Sequence, residues 1–168
     1  MELRPSSLTA IVRTQIALRA LRAKINLLFF ERKYIKMSKH PELIVMLTHN
    51  DRTVENAYEI FDACKDTKAK YWGFKEVGIP LDEMKKLCSY MKACGKTTFL
   101  EVVAYTEEEC LAGAKMAVEC GFDCLMGTIF FDSILDYCKQ HDLRYMPFVG
   151  KITGRPSVLE GTIDGMIE

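Results

Sequence analysis

After Met37, apolar and polar positions follow one another in a regular succession of strand-like and helix-like segments. Short apolar runs have the length and composition of buried strands. They cover residues 43–47, 70–75, 97–104, 123–126 and 145–149. Between these runs, apolar residues recur roughly every three or four positions, as on one face of a helix. The pattern therefore predicts five strands that alternate with helices.

Local signals mark where the helices begin. Asn50 or Asp51 can cap the first helix with a side-chain oxygen. Pro80 suits the first turn of the second helix, because a residue there needs no backbone N–H partner. Thr106 and Glu109 have the spacing of a capping box, which predicts the start of the third helix.

The junctions between helix and strand are repeated. Residues 94–98 and 120–124 are built alike, with Gly95 and Gly121 closing a helix just before a strand. Strand, loop, helix and glycine form the unit of the (β/α)₈ barrel and also of the open doubly wound sheet. The chain is thus predicted to be an α/β protein with parallel strands.

The length of the chain decides which of these folds is expected. A complete barrel needs ~250 residues, and the chain has 168. No glycine-rich phosphate loop follows the first strand, where a nucleotide-binding open sheet would carry it. We therefore predict a truncated, TIM-barrel-like (β/α) segment over residues 37–168, with an open doubly wound sheet as the alternative. Residues 150–156 are predicted to be a loop, after which Ser157 starts another helix.

Residues 1–36 differ from the rest in charge. They hold eight Lys and Arg against Glu2 and Glu31, and their apolar positions predict a basic amphipathic helix. The longest apolar run is far shorter than the ~20 residues that span a bilayer. An organelle transit peptide and a helix lying on a membrane surface share this composition. The abrupt change of charge at Met37 favours a third interpretation, in which Met37 is the native start and the leader is not native.

Composition limits the environment and the partners. Seven cysteines without a CxxC pair argue against a disulfide framework or a zinc ribbon. A reducing, cytoplasmic location is therefore expected, and no cofactor or metal is predicted. Residues 37–168 hold fifteen Lys and Arg against twenty-one acids, which argues against nucleic acid as a partner.

Lys75 is the main candidate for chemistry. It ends the apolar run that begins at Tyr71, where the second predicted strand gives way to a helix. Active sites of parallel α/β folds collect at the carboxyl ends of the strands. Lys75 is therefore interpreted as a catalytic residue. The alternative is a lysine whose stem covers apolar surface while its ammonium reaches water.

Glu101 is the expected partner of Lys75. Alternation places it on the face of Phe99 and Val103 in the next strand. If that face lines the barrel, the two charged ends can meet, and the pair could move a proton next to a carbonyl or orient a sugar hydroxyl. An ordinary buried ion pair is the alternative.

Three further residues are assigned to substrate binding. His49, just after the first strand, could add an acid, a base or a metal ligand, although an exposed histidine in a capping turn also fits. Lys151 and Arg155, after the fifth strand, suit an anionic substrate group. Solvated loop charges are the alternative for these two.

The stretch Gly73–Pro80 resembles the second-strand motif Asp-x-Lys-x-x-Asp-Ile-Pro of the orotidine-phosphate decarboxylase group of ribulose-phosphate-binding barrels. Lys75, Ile79 and Pro80 fall on the matching positions. Gly73 and Gly78 stand where that family has aspartates, on which its decarboxylation relies. The resemblance thus implies a barrel for small phosphorylated metabolites with a different reaction.

Two functions are therefore expected. The first is an aldolase-type or ribulose-phosphate-binding barrel enzyme that acts on a small phosphorylated sugar or keto acid as an epimerase, isomerase or lyase. The second is a non-catalytic, truncated half-barrel that self-associates through its open strand edges, since exposed edges are normally paired or covered.

Overall fold

The computed structural model describes residues 41–154 and 157–167. The chain divides into residues 1–42 and residues 43–168, and the second of these carries the fold. The predicted amphipathic leader and Arg155 lie outside the described residues.

The described residues form nine strands and five helices. The strands are β1 (Ile44–Met46), β2 (Thr48–His49), β3 (Arg52–Thr53), β4 (Tyr71–Lys75), β5 (Thr97–Ala104), β6 (Cys124–Thr128), β7 (Arg144–Met146), β8 (Lys151–Thr153) and β9 (Val158–Glu160). The helices are α1 (Ala57–Cys64), α2 (Leu81–Ala93), α3 (Glu107–Cys120), α4 (Asp132–Gln140) and α5 (Ile163–Ile167).

One parallel sheet organises these elements. Its strand order is β1-β4-β5-β6-β7, which is also their order in the sequence, and it does not close into a barrel. Successive helices from α1 to α4 contact one another in a single layer. Right-handed connections between strands in sequential order place their helices on one face. The prediction of an α/β fold with five parallel, sequential strands is confirmed.

The hydrophobic core lies between this helix layer and one face of the sheet. Trp72 and Phe74 point into it from β4, where Trp72 contacts Phe61 of α1 and Phe74 contacts Phe122 edge to face. Leu100 is the matching buried residue on β5. Each such side chain contributes about 1.5–3 kcal/mol when fully buried. Alternation along β4 then leaves Lys75 on the opposite face of the sheet.

The predicted ends of α2 and α3 agree with the structure. Gly95 follows α2 with a positive φ of 73°, and Gly121 closes α3 at φ 79° in the left-handed conformation. The Thr106 hydroxyl accepts a hydrogen bond from the Glu109 backbone N–H while the Glu109 carboxylate accepts one from the Thr106 N–H. Local sequence signals were sufficient here because caps and C-terminal glycines act within one helical turn.

Three predicted boundaries are wrong. Helix α1 begins after Asn56, which makes no side-chain cap, so neither Asn50 nor Asp51 caps it. The fifth sheet strand, β7, ends at Met146 rather than at residue 149. Ser157 does not start a helix, because it precedes β9 and α5 begins only at Ile163.

The segment predicted as a loop after residue 149 is a hairpin instead. Strands β8 and β9 pair antiparallel. The hydroxyl of Tyr105, the residue after β5, donates to the carbonyl of Gly154 at 3.1 Å, which ties the hairpin to the carboxyl edge of the sheet. In the described part of the chain, no helix is both long enough and apolar enough to cross a membrane.

Candidate functional site at the carboxyl edge of the sheet

A short hairpin follows the first strand of the sheet. Strands β2 and β3 pair antiparallel, with His49 opposite Arg52. The two turn residues, Asn50 and Asp51, have positive φ values of 48° and 60°. This is the type I′ geometry that two-residue hairpins prefer, and Asn and Asp tolerate it better than other side chains. The turn therefore places Asp51 at the hairpin tip.

Thr53 holds this hairpin against the end of β4. Its buried hydroxyl donates to the carbonyl of Lys75 at 2.8 Å and accepts from the N–H of Lys75 at 2.9 Å. Its backbone N–H donates to the carbonyl of Val77 at 2.9 Å. Thr53 thus fixes the hairpin to the main chain of Lys75 and Val77, and none of these bonds involves the residues at the hairpin tip.

The two glycines of the motif around Lys75 have a structural role. Gly78 has a positive φ of 117°, and a Cβ atom there would overlap the carbonyl oxygen of Thr53. A Cβ atom at Gly73 would lie 2.7 Å from the carbonyl oxygen of Phe99. Because both backbones are approached this closely, neither position has room for an aspartate side chain. The departure from the decarboxylase motif is therefore built into the packing.

Lys75 lies at the carboxyl end of β4 and is only 3% exposed. Its ammonium nitrogen lies 2.6 Å from Oδ1 of Asp51, whose side chain is 86% exposed. A buried charge is costly unless it is paired. The ammonium of Lys75 is paired with the Asp51 carboxylate, which is exposed to solvent. An ammonium has three donor hydrogens, of which the bond to Asp51 uses one.

Glu101 stands directly opposite Lys75 in the ladder between β4 and β5. The ion pair of Lys75 is nevertheless with Asp51, because the Thr53 contacts bring the hairpin tip over the lysine. The side chain of Glu101 runs past Gly127, where a Cβ atom would lie 3.2 Å from its Cγ. The structure thus brings Lys75 and Glu101 to neighbouring positions on one face and joins the lysine to a different carboxylate.

Glu76 is a carboxylate that the sequence did not single out. It is half-buried, and the backbone N–H of Val103 donates a hydrogen bond to it. Its Oε2 atom is buried and has no hydrogen-bond partner within the described residues. Burial raises the pKa of Glu76, and the nearby charge of Glu101 adds to this, while hydrogen bonds and Lys75 oppose it.

The surroundings of Glu76 depend on contacts between strands. The pairing of β5 with β6 shifts register between Glu101 and Ala104, next to the Val103 N–H that bonds Glu76. No local sequence pattern announces this shift in register, and Glu76 follows a strand as many solvated residues do. We call Asp51, Lys75, Glu76 and Glu101 the carboxyl-edge site.

The remaining predicted residues are dispersed. His49 is exposed in β2, on the hairpin that carries Asp51. Lys151 lies in β8, where its Nζ is 3.4 Å from Oε2 of Glu160 on the paired strand. Among the described residues, no group of three or more His, Cys, Asp or Glu side chains could hold a metal ion.

Most of the cysteines belong to the core. All seven are free, and five of them are buried. Burial raises the pKa of Cys124 to about 12 and that of Cys88 to about 11. These two side chains therefore remain thiols at neutral pH and act as small apolar groups in the core.

A scan against known protein-family models returns no match for the chain, and a search of curated proteins also finds none. The chemistry of the carboxyl-edge site is therefore inferred from its own residues.

Proposed function

We propose that the chain is a barrel-type enzyme that acts on a small phosphorylated sugar or keto acid, as an epimerase, isomerase or lyase. The observation that supports this best is the buried ammonium of Lys75 at the carboxyl edge of the sheet, bonded to the exposed carboxylate of Asp51. In parallel α/β folds this is the edge where substrates bind.

Lys75 fits a role in stabilising negative charge. When a proton or a carbon group leaves the carbon next to a carbonyl, charge develops on the carbonyl oxygen. A fixed ammonium in a site with little water stabilises that charge more strongly than water does. Asp51 fixes the position of the ammonium, and Glu101 adds a carboxylate on the neighbouring strand.

The anionic end of the substrate needs a second set of contacts. Lys151 belongs to the hairpin that Tyr105 ties to this edge, which makes it a candidate for a phosphate or carboxylate group. Arg155 and His49 are further candidates, the first outside the described residues. We propose a cytoplasmic enzyme without a cofactor, in keeping with seven free cysteines.

Proton NMR in deuterium oxide tests this function, with ribulose phosphate and pyruvate as probes. We expect the full chain to exchange or convert one of them, and Lys75→Met to reduce the rate by about 100-fold or more. Lys86→Met is the matched control, since Lys86 is an exposed lysine on α2. Equal rates in the Lys75→Met variant and the unchanged chain would remove the enzyme proposal.

Self-association is the second candidate function, and the open sheet favours it. The edge strands β1 and β7 each have a pairing partner on one side. Leu43, beside β1, is 70% exposed, and Met146 in β7 is 42% exposed. Such edges pair readily with a second copy.

Sedimentation velocity tests the self-association. We expect a concentration-dependent dimer that Leu43→Lys or Met146→Lys dissociates, because a lysine at an edge disfavours pairing. Leu81→Lys, on the exposed start of α2, is the control. A monomer at all concentrations would remove this candidate.

A further inference from the structure

The unpartnered oxygen of Glu76 is the most unusual polar atom of the site. Buried carboxylate oxygens almost always have a hydrogen-bond partner, because an unpartnered one loses the interactions it would make with water. One side of this carboxyl group is bonded to the Val103 N–H, and the Oε2 side has no partner within the described residues. The Oε2 atom therefore lacks a hydrogen-bond partner within the described residues.

The charges that face Glu76 come from both strands that pack against it. Lys75 precedes it on β4 and carries a positive charge, while Glu101 on β5 carries a negative one. The Lys75 ammonium is bonded to Asp51 and keeps donor hydrogens for a ligand. A protonatable carboxyl group thus follows a fixed cation in the chain, and the two charges interact.

We propose that Glu76 is the proton-transfer residue of the carboxyl-edge site, and that the substrate is a small carbonyl compound with a removable hydrogen on the adjacent carbon. This inference rests on the proposed function and narrows it to an epimerase or isomerase. The missing partner of Oε2 is the hydrogen that moves.

The proton transfer needs no further reactant. The C–H bond next to the carbonyl breaks, its proton goes to the Glu76 carboxylate, and its electron pair forms a carbon–carbon double bond. The carbonyl electrons move to oxygen, where the Lys75 ammonium donates a hydrogen bond to the enolate. Glu76 then returns the proton to one of two carbons. Return to the same carbon gives the epimer if the enolate has turned its other face to Glu76. In a substrate with a hydroxyl group on that carbon, the hydroxyl proton moves to the enolate oxygen, and return to the former carbonyl carbon gives the isomer.

Two features favour proton transfer over the loss of a carbon group. The space beside Gly73 and Gly78 cannot hold the carboxylates that would press against a leaving carboxylate. A base is most effective when its pKa lies closer to the working pH than that of an ordinary carboxylate. Burial shifts the pKa of Glu76 in this direction.

The Oε2 atom is buried, so a substrate reaches it only if the carboxyl group moves. Glu76 lies between the buried Lys75 and the exposed Val77, at the rim of the sheet. The terminal torsion of a glutamate side chain is broad. Proton transfer therefore requires that the carboxyl group rotate until Oε2 meets a ligand bonded to the Lys75 ammonium.

Deuterium exchange into ribulose phosphate and pyruvate, together with calorimetric binding of the same probes, tests the inference. We expect Glu76→Gln to lower the exchange rate by about 100-fold or more while binding changes by only a few-fold. Glu76→Asp, which keeps a carboxyl group, should restore part of the rate. The control is Glu108→Gln, an exposed glutamate in the first turn of α3.

The pH profile separates a proton-transfer role from a structural one. Exchange should rise with pH as Glu76 loses its proton, and this rise should be absent in Glu76→Gln. Exchange that needs Lys75 but continues in Glu76→Gln overturns the inference and leaves the proposed function standing. Cleavage of a probe without exchange also overturns the inference and leaves the proposed function standing. If the full chain neither binds nor converts either probe, the proposed function itself fails.

Discussion

Two carboxylates at opposite ends of the same sheet have opposite surroundings. At the amino edge, Oδ2 of Asp123 accepts hydrogen bonds from the Thr98 N–H at 2.8 Å and the Thr98 hydroxyl at 2.9 Å. Its Oδ1 accepts one from Lys92 at 2.8 Å. At the carboxyl edge, by contrast, Oε2 of Glu76 has no partner within the described residues.

The pKa values of the two groups move in opposite directions. Burial raises the pKa of Asp123, but hydrogen bonds from Lys92 and Thr98 outweigh it and hold that pKa below its usual value. For Glu76, burial prevails and the pKa is raised. The hydrogen bonds of the Asp123 carboxylate are therefore satisfied, whereas Oε2 of Glu76 has no partner within the described residues. In barrel enzymes the amino ends of the strands serve stability and the carboxyl ends carry the catalytic residues, and the carboxyl-edge site proposed above agrees with that division.

The largest expected effect comes from the glycine that brings the Thr53 hairpin against β4. Gly78→Ala should destabilise the fold by about 2–4 kcal/mol, because a positive φ and an overlap with Thr53 act together. Gly95→Ala, at the amino edge, has a positive φ but nothing within 4 Å of the new Cβ, so it should cost only about 1–2 kcal/mol. Urea unfolding measures both, and equal losses would contradict the close approach at Gly78.

Asp123→Ala should cost about 2–3 kcal/mol in urea unfolding near neutral pH, because it leaves the N–H of the buried Thr98 without its acceptor. Since the folded pKa of Asp123 is lowered, its contribution is present above the unfolded pKa and is lost as pH falls through the folded pKa. The difference between the variant and the unchanged chain should therefore shrink in acid. A constant difference across this range would show that the carboxylate charge is not involved.

Lys75→Met should change the free energy of unfolding by no more than about 1 kcal/mol, because replacing a buried ion by a similar apolar side chain is often neutral. The carboxylate left behind, Asp51, is largely exposed and regains water. A smaller loss of stability in Lys75→Met than in Asp123→Ala would show that the amino edge of the sheet contributes more to stability than the carboxyl edge. A loss as large as that of Asp123→Ala would make Lys75 a structural residue.

The smallest effect is expected from Glu76→Gln, which should raise the unfolding temperature slightly near neutral pH. The folded pKa of Glu76 is raised, so the native state loses stability as pH rises from the unfolded pKa through the folded one. The gain in the variant should vanish at acidic pH. Thermal unfolding followed by circular dichroism at several pH values measures this, and a variant that is less stable near neutral pH would contradict it.

Several secondary-structure elements could be predicted from local sequence patterns. Apolar runs predicted the sheet strands, and the Thr106 and Glu109 pair predicted the start of α3. These signals act over a few residues, so they do not depend on contacts with distant parts of the chain. The position of Lys75 at the carboxyl end of β4 followed from the same reading.

The contacts within the carboxyl-edge site could not be predicted from local sequence patterns. Alternation placed Glu101 on the face of Lys75, but the partner proved to be Asp51, twenty-four residues earlier in the chain. The Asn50 and Asp51 pair suits a helix cap and a type I′ turn equally well. The structure chose the turn, because Thr53 bonds to the backbone of Lys75.

The sequence by itself determined the order and type of the main sheet strands and helices, since the periodicity of buried residues is a local property. Only the tertiary structure decided that successive helices contact one another, that Asp51 reaches Lys75 and that Oε2 of Glu76 has no partner within the described residues. These features depend on register and on backbone contacts between distant segments. Such contacts are fixed by packing, and no short stretch of residues records them.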